Sequence, residues 1–377
     1  MAIIVPIHSF EPGGVERIAL HLAQAWRHDG ADVRIVLGRR DGAMDHIAPD
    51  LDYIVRSSPV PTASWETPWM IFCLWRYLLK HPMKQGGGVI FASGNTYSIV
   101  GVAMKLLLGK RCPPVLLKLS NDLERADLPA PARAFYHLWL RIQGRLLDHF
   151  VALAPALAPE VGRLMKVAPD RVSVIEDPAL APGQFERLAA IPRDQGGARN
   201  RLLTVGRLAG QKNQQLMIRA LAGAEGFAGT LTVCGEGAER ERLERLAQSC
   251  GVAGRITFAG HCRDVTPYFA EAAALVLSSD YEGLPAVVIE ALAAGLPVIS
   301  TDCSAWIHEL LAGGQLGILV PRGDSTALSR ALSDLSALSF APDQARAVAA
   351  RFTISAAAPA YRALLGRIGA CANVAAR

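Results

Sequence analysis

Short runs of β-branched and other apolar residues alternate with helix-period patterns along nearly the whole chain, and this alternation restricts the fold more than any single motif. Parallel strands covered by helices on both faces read as continuous apolar runs, and the crossovers between them must be long enough to hold a helix. In the first half the runs fall at 3–7, 33–37, 89–91, 115–119 and 150–153. Between the first two, apolar residues recur at 15, 18, 19, 22, 23 and 26, close to the 3.6-residue period of a helix. The second half restarts the pattern with runs at 202–205, 231–233, 256–258, 275–277, 298–299 and 317–320. Residues 177–197 separate the halves and hold Pro178, Pro182, Pro192 and three glycines, the composition of a linker. The pattern predicts two α/β domains with parallel sheets, a repeat of architecture without a repeat of sequence.

Composition narrows what such a chain does. A chain of 377 residues that is 51% apolar and 19% charged can bury two cores, which excludes general disorder. The longest uncharged stretch, 85–104, contains Gly86, Gly87, Gly88, Ser93, Gly94, Asn95, Thr96 and Ser98 and is too polar for a spanning helix. The apolar run at Ile3 to Ile7 has no basic region before it and reads as a first strand rather than a secretory signal. Seven cysteines, at 73, 112, 234, 250, 262, 303 and 371, form no C-x-x-C pair and leave an odd count, which predicts a reduced cytoplasmic chain without structural zinc. The net charge of +5 is spread evenly over both halves, so no nucleic-acid stripe is expected.

Residues 68–84 stand apart. Trp69, Phe72, Trp75 and Tyr77 are interleaved with Arg76, Lys80 and Lys84, and as a helix this segment suits either of two environments. It is a peripheral membrane contact of aromatic rings and cationic stems, or a core-facing helix with a solvated basic edge.

Three segments carry recognisable chemistry. In the stretch from Glu282 to Thr301, Glu282 and Glu290 are eight residues apart and would be out of register on one helix. Pro285 favours a helix start near that position, which leaves Glu282 in the preceding loop and Glu290 inside the helix. Free amides near Gly283 and Leu284 can then bind phosphate beside Glu282, a partner for sugar hydroxyls, while Glu290 suits vicinal ribose hydroxyls. The second segment, Gly206 to Gln214, follows a strand and offers Arg207 and Lys212 to a diphosphate. Gly235 and Gly237 follow the next strand and allow close backbone approach, although Arg240 replaces the third glycine of a dinucleotide fingerprint. The third is Pro12 to Arg17, where Gly13 and Gly14 stand between the first strand and first helix, as a tight turn or a ligand loop. Asp50-Leu51-Asp52 mimics a metal-binding D-x-D but reads as a surface turn.

Taken together, Ser279, Glu282 and Glu290, Gly206-Arg207-Leu208 with Lys212-Asn213, Gly235-Glu236-Gly237 and Gly13-Gly14 resemble a family 4 retaining glycosyltransferase of GT-B fold, of the bacterial surface-polysaccharide type. The resemblance covers nearly the whole chain and is strongest from 200 to 320. It implies two Rossmann-like domains facing one another across a cleft. The N-terminal acceptor domain would span 1–180, a linker 181–198, the nucleotide-sugar domain 199–350, and a C-terminal helix at 351–377 would return to the first domain. It also implies roles: Arg207 and Lys212 on the donor diphosphate, Glu290 on the ribose, and Glu282 with the backbone of Gly283 and Leu284 on the donor sugar. Gly13 and Gly14 would meet the leaving phosphate, and Gly260 and His261 would form the nucleobase rim. Where many members place a histidine near the donor sugar, this chain has Ser120, Asn121 and Asp122, with Asn121 as the remaining hydrogen-bond donor.

On that basis the expected activity is transfer of a sugar from a UDP-sugar, with a GDP-sugar as the other candidate, to a lipid-linked saccharide. The expected place is the cytoplasmic side of a membrane, contacted peripherally, and neither cofactor nor metal is required. A nucleotide-sugar epimerase or hydrolase on the same scaffold, or a non-catalytic nucleotide-sugar-binding protein, are the competing possibilities. The first two would need side chains at C2 or a water-activating base.

Overall fold

The computed structural model describes residues 1–377 except 12, 43, 45, 57–64, 84–86, 120–122, 126–127, 193–199, 305 and 375–377. Lys84 and Asn121 therefore lie outside the described residues. The chain divides into two units, Met1–Pro178 with Ile354–Arg377, and Ala179–Thr353.

Among the described residues of the first unit, strands alternate with helices except between the second and third strands. They run β1 (Ala2–Ile7), α1 (Gly14–His28), β2 (Asp32–Leu37), β3 (Asp52–Val55), α2 (Glu66–Lys80), β4 (Gly88–Ala92), α3 (Asn95–Leu108), β5 (Val115–Lys118), α4 (Ala130–Leu146), β6 (His149–Ala152), α5 (Ala158–Met165) and β7 (Val172–Val174). The second unit holds α6 (Gln184–Ala189), β8 (Arg201–Val205), α7 (Gln214–Gly223), β9 (Thr230–Cys234), α8 (Arg240–Ser249), β10 (Ile256–Gly260), α9 (Thr266–Glu271), β11 (Ala274–Leu277), α10 (Ala286–Ala293), β12 (Val298–Thr301), α11 (Ile307–Leu310), β13 (Gly317–Val320), α12 (Ser325–Ser333) and α13 (Pro342–Ala350). The final helix, α14 (Ile354–Val374), belongs to the first unit.

Both sheets are wholly parallel and share one order. The first runs β3-β2-β1-β4-β5-β6-β7 and the second β10-β9-β8-β11-β12-β13. The expected pair of parallel α/β sheets is thus present, and every predicted apolar run overlaps a strand, those at 115–119 and 150–153 running one residue past its end. Two strands, β3 and β7, lie outside the apolar runs. Both are sheet edges with half-buried residues, so neither needs a continuous apolar run. Asp52 opens β3 and pairs with Arg27 at 3.4 Å, so the D-x-D segment leads into an edge strand rather than staying a turn. The segment read as linker also contains structure, since Gln184–Ala189 forms α6.

Two apolar layers sandwich the first sheet. On one side α1 and α14 cover β1, β2 and β4, with Trp26, Phe91 and Tyr361 meeting edge to face. The Trp26 indole N–H donates to the Ala358 carbonyl at 2.9 Å and ties α14 to α1. On the other side α2, α3, α4 and α5 enclose a second cluster. A charged pair lies at the end of β5, where Lys118, 1% exposed, meets Asp177 at 2.5 Å. Breaking one partner of a buried pair strands the other charge. Lys118→Ala is accordingly expected to lower the stability of the first unit by about 3–5 kcal/mol in urea unfolding. Lys118→Met combined with Asp177→Leu should recover most of that loss.

Candidate functional site

In a parallel sheet of this order, two central strands send their following helices to opposite faces, and the loops beyond their carboxyl ends part to leave a crevice. In the second unit those strands are β8 and β11, paired through Leu202 and Ala274. The helix after β8, α7, packs with α8 and α12, whereas α10 after β11 packs with α13 and α6. The loops after β8 and β11 carry Lys212 and Glu282, and here the two meet. Lys212 Nζ lies 2.6 Å from Glu282 Oε1, and the Ser279 hydroxyl donates to the same oxygen at 2.6 Å. The two side chains are 20% and 10% exposed, so the pair is shielded without being sealed off.

The surrounding hydrogen bonds fix both loops. Asn213 adopts left-handed backbone (φ 44°, ψ 45°), which asparagine tolerates better than most residues, and its amide donates to Asp280 at 2.8 Å. Gln211 donates through its side chain to the Tyr281 carbonyl, and its own carbonyl accepts from the Asp280 N–H. The Ser278 hydroxyl closes on the Lys212 carbonyl at 2.9 Å. From the β12 side, the Thr301 hydroxyl donates to the Ser279 carbonyl, the Glu282 N–H to the Cys303 carbonyl, and the Ser304 hydroxyl to the Gly283 carbonyl. Glu282 is therefore held by its backbone as well as its carboxylate.

Glu282 lies in the loop and Glu290 within α10, which begins at Ala286. Pro285 precedes this helix as its capping residue, and its carbonyl accepts from the Val288 N–H. Gly283 has open space where a side chain would point. Glu290 is met by a residue that sequence reasoning missed: Gln184 of α6 donates to Glu290 Oε1 at 2.9 Å, and its own carbonyl oxygen accepts from the Ala181 N–H at 2.9 Å. Nothing in a Pro-rich linker signals a partner 106 residues away. Arg207 is exposed, and its carbonyl accepts from the Gln214 side chain at 3.0 Å.

The glycines of this unit serve the loops themselves. A Cβ on Gly235 would lie 1.9 Å from the Gly206 carbonyl oxygen, and one on Gly237 2.2 Å from that of Leu208. Backbone bonds from Gly206 to Cys234, Leu208 to Glu236 and Gly235 to Gly260 continue the ladder beyond the strands. Close approach at Gly235 and Gly237 is thus between neighbouring loops. Gly206 faces the end of the Lys212 stem, with the ammonium 3.8 Å from its virtual Cβ. His261 is exposed, and its backbone N–H donates to the Glu236 carboxylate at 3.2 Å.

The first unit has its own reversal point, at β1 and β4. Gly13 caps α1 in extended conformation and Gly14 opens the helix into free space. Behind them lies a buried polar cluster that sequence reasoning did not single out. The His8 N–H donates to the Tyr97 hydroxyl at 3.0 Å, the rings stack at 4.6 Å, and the Tyr97 hydroxyl donates to Glu16 at 2.9 Å. Burial, helped by the Arg39 charge, holds the His8 pKa down to about 4, so this imidazole is neutral at physiological pH.

The membrane candidates divide. Trp69 and Trp75 are half-buried against the first unit's core, and the Trp69 indole donates to the Gly38 carbonyl at 2.9 Å. Arg76 is half-buried, while Lys80 is exposed. The outer stripe of α2 instead consists of Trp65, Phe72 and Leu79, seven residues apart. Among the described residues no helix is long and apolar enough to cross a membrane, and no three His, Cys, Asp or Glu side chains form a metal-binding group.

Comparison with known proteins places both units. Residues 12–178 match the family model described as Glycosyltransferase Family 4, and residues 199–337 match Glycosyl transferases group 1. A lipopolysaccharide core biosynthesis glycosyltransferase, LpsE of Rhizobium meliloti, is 35% identical over 136 residues, 36% of this chain and 39% of that protein. The matched stretch thus spans less than half of this relative. Among solved structures, the lipopolysaccharide outer core galactosyltransferase WaaB superposes with a TM-score of 0.74 at 17% identity over 96% of this chain and 98% of its own. Anabaena HepE in complex with UDP superposes at 0.75 with 19% identity over 97% and 100%. These likenesses establish the GT-B fold.

The backbone contact at Gly235 sets a test. Gly235→Ala forces two loops apart and is expected to destabilise the second unit by about 1–3 kcal/mol in thermal or urea unfolding. Gly283→Ala, which enters open space, should stay within about 0.5 kcal/mol of the parent.

Proposed function

Because this chain belongs to the glycosyltransferases built from a family 4 and a group 1 module, we propose that it is a retaining transferase. It would move a sugar from a nucleotide-sugar, in preference a UDP-sugar, to a lipid-linked saccharide of surface-polysaccharide synthesis. The observation that carries this proposal is the Lys212–Glu282 pair at the reversal point of the second sheet, beside the amino end of α10. The UDP named with HepE and the lipopolysaccharide named with LpsE and WaaB support the donor and acceptor classes.

The chemistry follows from charge. As the anomeric C–O bond to the diphosphate breaks, positive character grows on the sugar and negative charge on the leaving oxygen. Lys212, Arg207 and the amides of Gly283 and Leu284 are fixed donors for that charge, which lowers the barrier without reorganisation. Lys212 is paired with Glu282, so a diphosphate competes for the ammonium while a sugar hydroxyl takes up the carboxylate. Both internal bonds end on Oε1 of Glu282, leaving Oε2 to accept from that hydroxyl. Glu290, oriented by Gln184, accepts from the ribose hydroxyls, and the Gly235–Gly237 and His261 loops border the nucleobase. The family resemblance assigns Gly13 and Gly14 to the leaving phosphate and Asn121 to a donor-sugar hydroxyl. The new bond forms on the face from which the diphosphate departs, and the leaving phosphate oxygen takes the acceptor's proton, so no protein base is needed. In this reading the cations fill the electrostatic place of a metal, so the reaction needs no cofactor, and the lipid-linked acceptor is what would bring the chain to the cytoplasmic membrane face.

Lys212→Ala and Arg207→Ala are each expected to lower turnover about 100-fold to 1000-fold, measured as UDP release in the presence of a lipid acceptor. EDTA should leave the parent rate unchanged. Release without acceptor would indicate a hydrolase, and binding without turnover a sensor. Near-parental transfer by both variants would remove the assignment.

A further inference from the structure

We infer that α3 and α4 of the first unit form a docking face for an anionic lipid bilayer. Nine of the twelve large apolar side chains most exposed among the described residues lie on or beside α2, α3 and α4, neighbouring helices on one side of the first sheet. On α4, Phe135, Leu138 and Ile142 follow helical spacing along the outer face, and Phe135 is 77% exposed. The opposite face of α4 is fully engaged: Leu140 is buried in the core, and a Cβ on Gly144 would lie 2.0 Å from the Met165 carbonyl of α5. On α3, Ile99, Leu106 and Leu107 project outward, with Leu106 68% exposed. An apolar stripe on the outside of an already packed helix needs a cover.

Charge selects the cover. Neither α3 nor α4 contains an acidic side chain. Arg141 and Arg145 stand in the same exposed stripe as Leu138 and Ile142, and Lys110 and Arg111 extend it from the end of α3. Among the described residues none of these four cations has an acidic partner, whereas Lys105 is neutralised by Asp148 at 2.6 Å. Apolar side chains interleaved with unneutralised cations match the boundary between acyl chains and anionic headgroups. A second copy of this chain would have to bury four unpaired like charges against their own equivalents, which disfavours self-association. The inference rests on the proposed lipid-linked acceptor and shifts the membrane contact from Trp69 and Trp75 to α3 and α4.

The test uses the full chain with phosphatidylcholine vesicles, with and without phosphatidylglycerol, in the absence of donor and acceptor. The parent is expected to co-sediment with the anionic vesicles. Arg141→Glu with Arg145→Glu should weaken partitioning by about 25-fold or more, at roughly fivefold per cation removed. Phe135→Ser with Leu138→Ser should weaken it at least about tenfold. Melting temperatures of both variants should match the parent, since the replaced side chains are exposed. Transfer to a detergent-dispersed acceptor should remain within about twofold of the parent, which separates this surface from the donor-site chemistry. Failure of the parent to bind anionic vesicles, or parental binding by both variants, would overturn the inference. So would a parent dimer that Phe135→Ser with Leu138→Ser dissociates.

Discussion

The arrangement of each unit depends on one topological constraint, the reversal of strand order in a parallel sheet. Right-handed crossovers on either side of that point carry the chain to opposite faces, and the loops beyond the strand ends cannot fill the space between them. In the second unit this opens a place for a ligand and sets the residues that border it. Lys212 comes from the loop after β8 and Glu282 from the loop after β11, seventy residues apart in sequence, yet they meet at 2.6 Å. Bonds from Asn213, Gln211, Ser279 and Thr301 hold those loops, so the charged pair sits on a braced frame.

The first unit uses the same constraint for a different surface. At its reversal point stand Gly13 and Gly14, the open start of α1, above a neutral His8 and the Tyr97–Glu16 bond. Its two faces are unequal. The side covered by α1 and α14 is closed by the Trp26 bond to Ala358, while the side covered by α2, α3 and α4 carries apolar stripes on its outside. The same helices thus serve the core with one face and present a cationic, apolar surface with the other.

Much of this was legible in the sequence, for reasons of period and punctuation. The buried strands could be read because burial demands continuous apolar runs, and β3 and β7 could not because an edge strand can do without one, although the edge strands β10 and β13 keep theirs. The placement of Glu282 in a loop and Glu290 in a helix followed from Pro285, although the helix starts one residue later. Long-range pairings were beyond reach: neither the Gln184–Glu290 bond nor the His8–Tyr97 stack leaves a local pattern. The roles of Gly235 and Gly237 needed coordinates as well, because a glycine kept for loop packing and one kept for a ligand look alike in a sequence. The 68–84 segment left its environment open, since aromatic rings at helical spacing serve core and interface equally well.

The central claim is that Lys212 exchanges its partner Glu282 for a donor diphosphate at the amino end of α10. A crystal structure of the chain soaked with UDP tests it most directly. The expected result places the terminal phosphate within hydrogen-bonding distance of Lys212 Nζ and the Gly283–Leu284 amides, with the ribose hydroxyls at Glu290. A nucleotide bound elsewhere in the second unit, with the Lys212–Glu282 bond still at 2.6 Å, would contradict it.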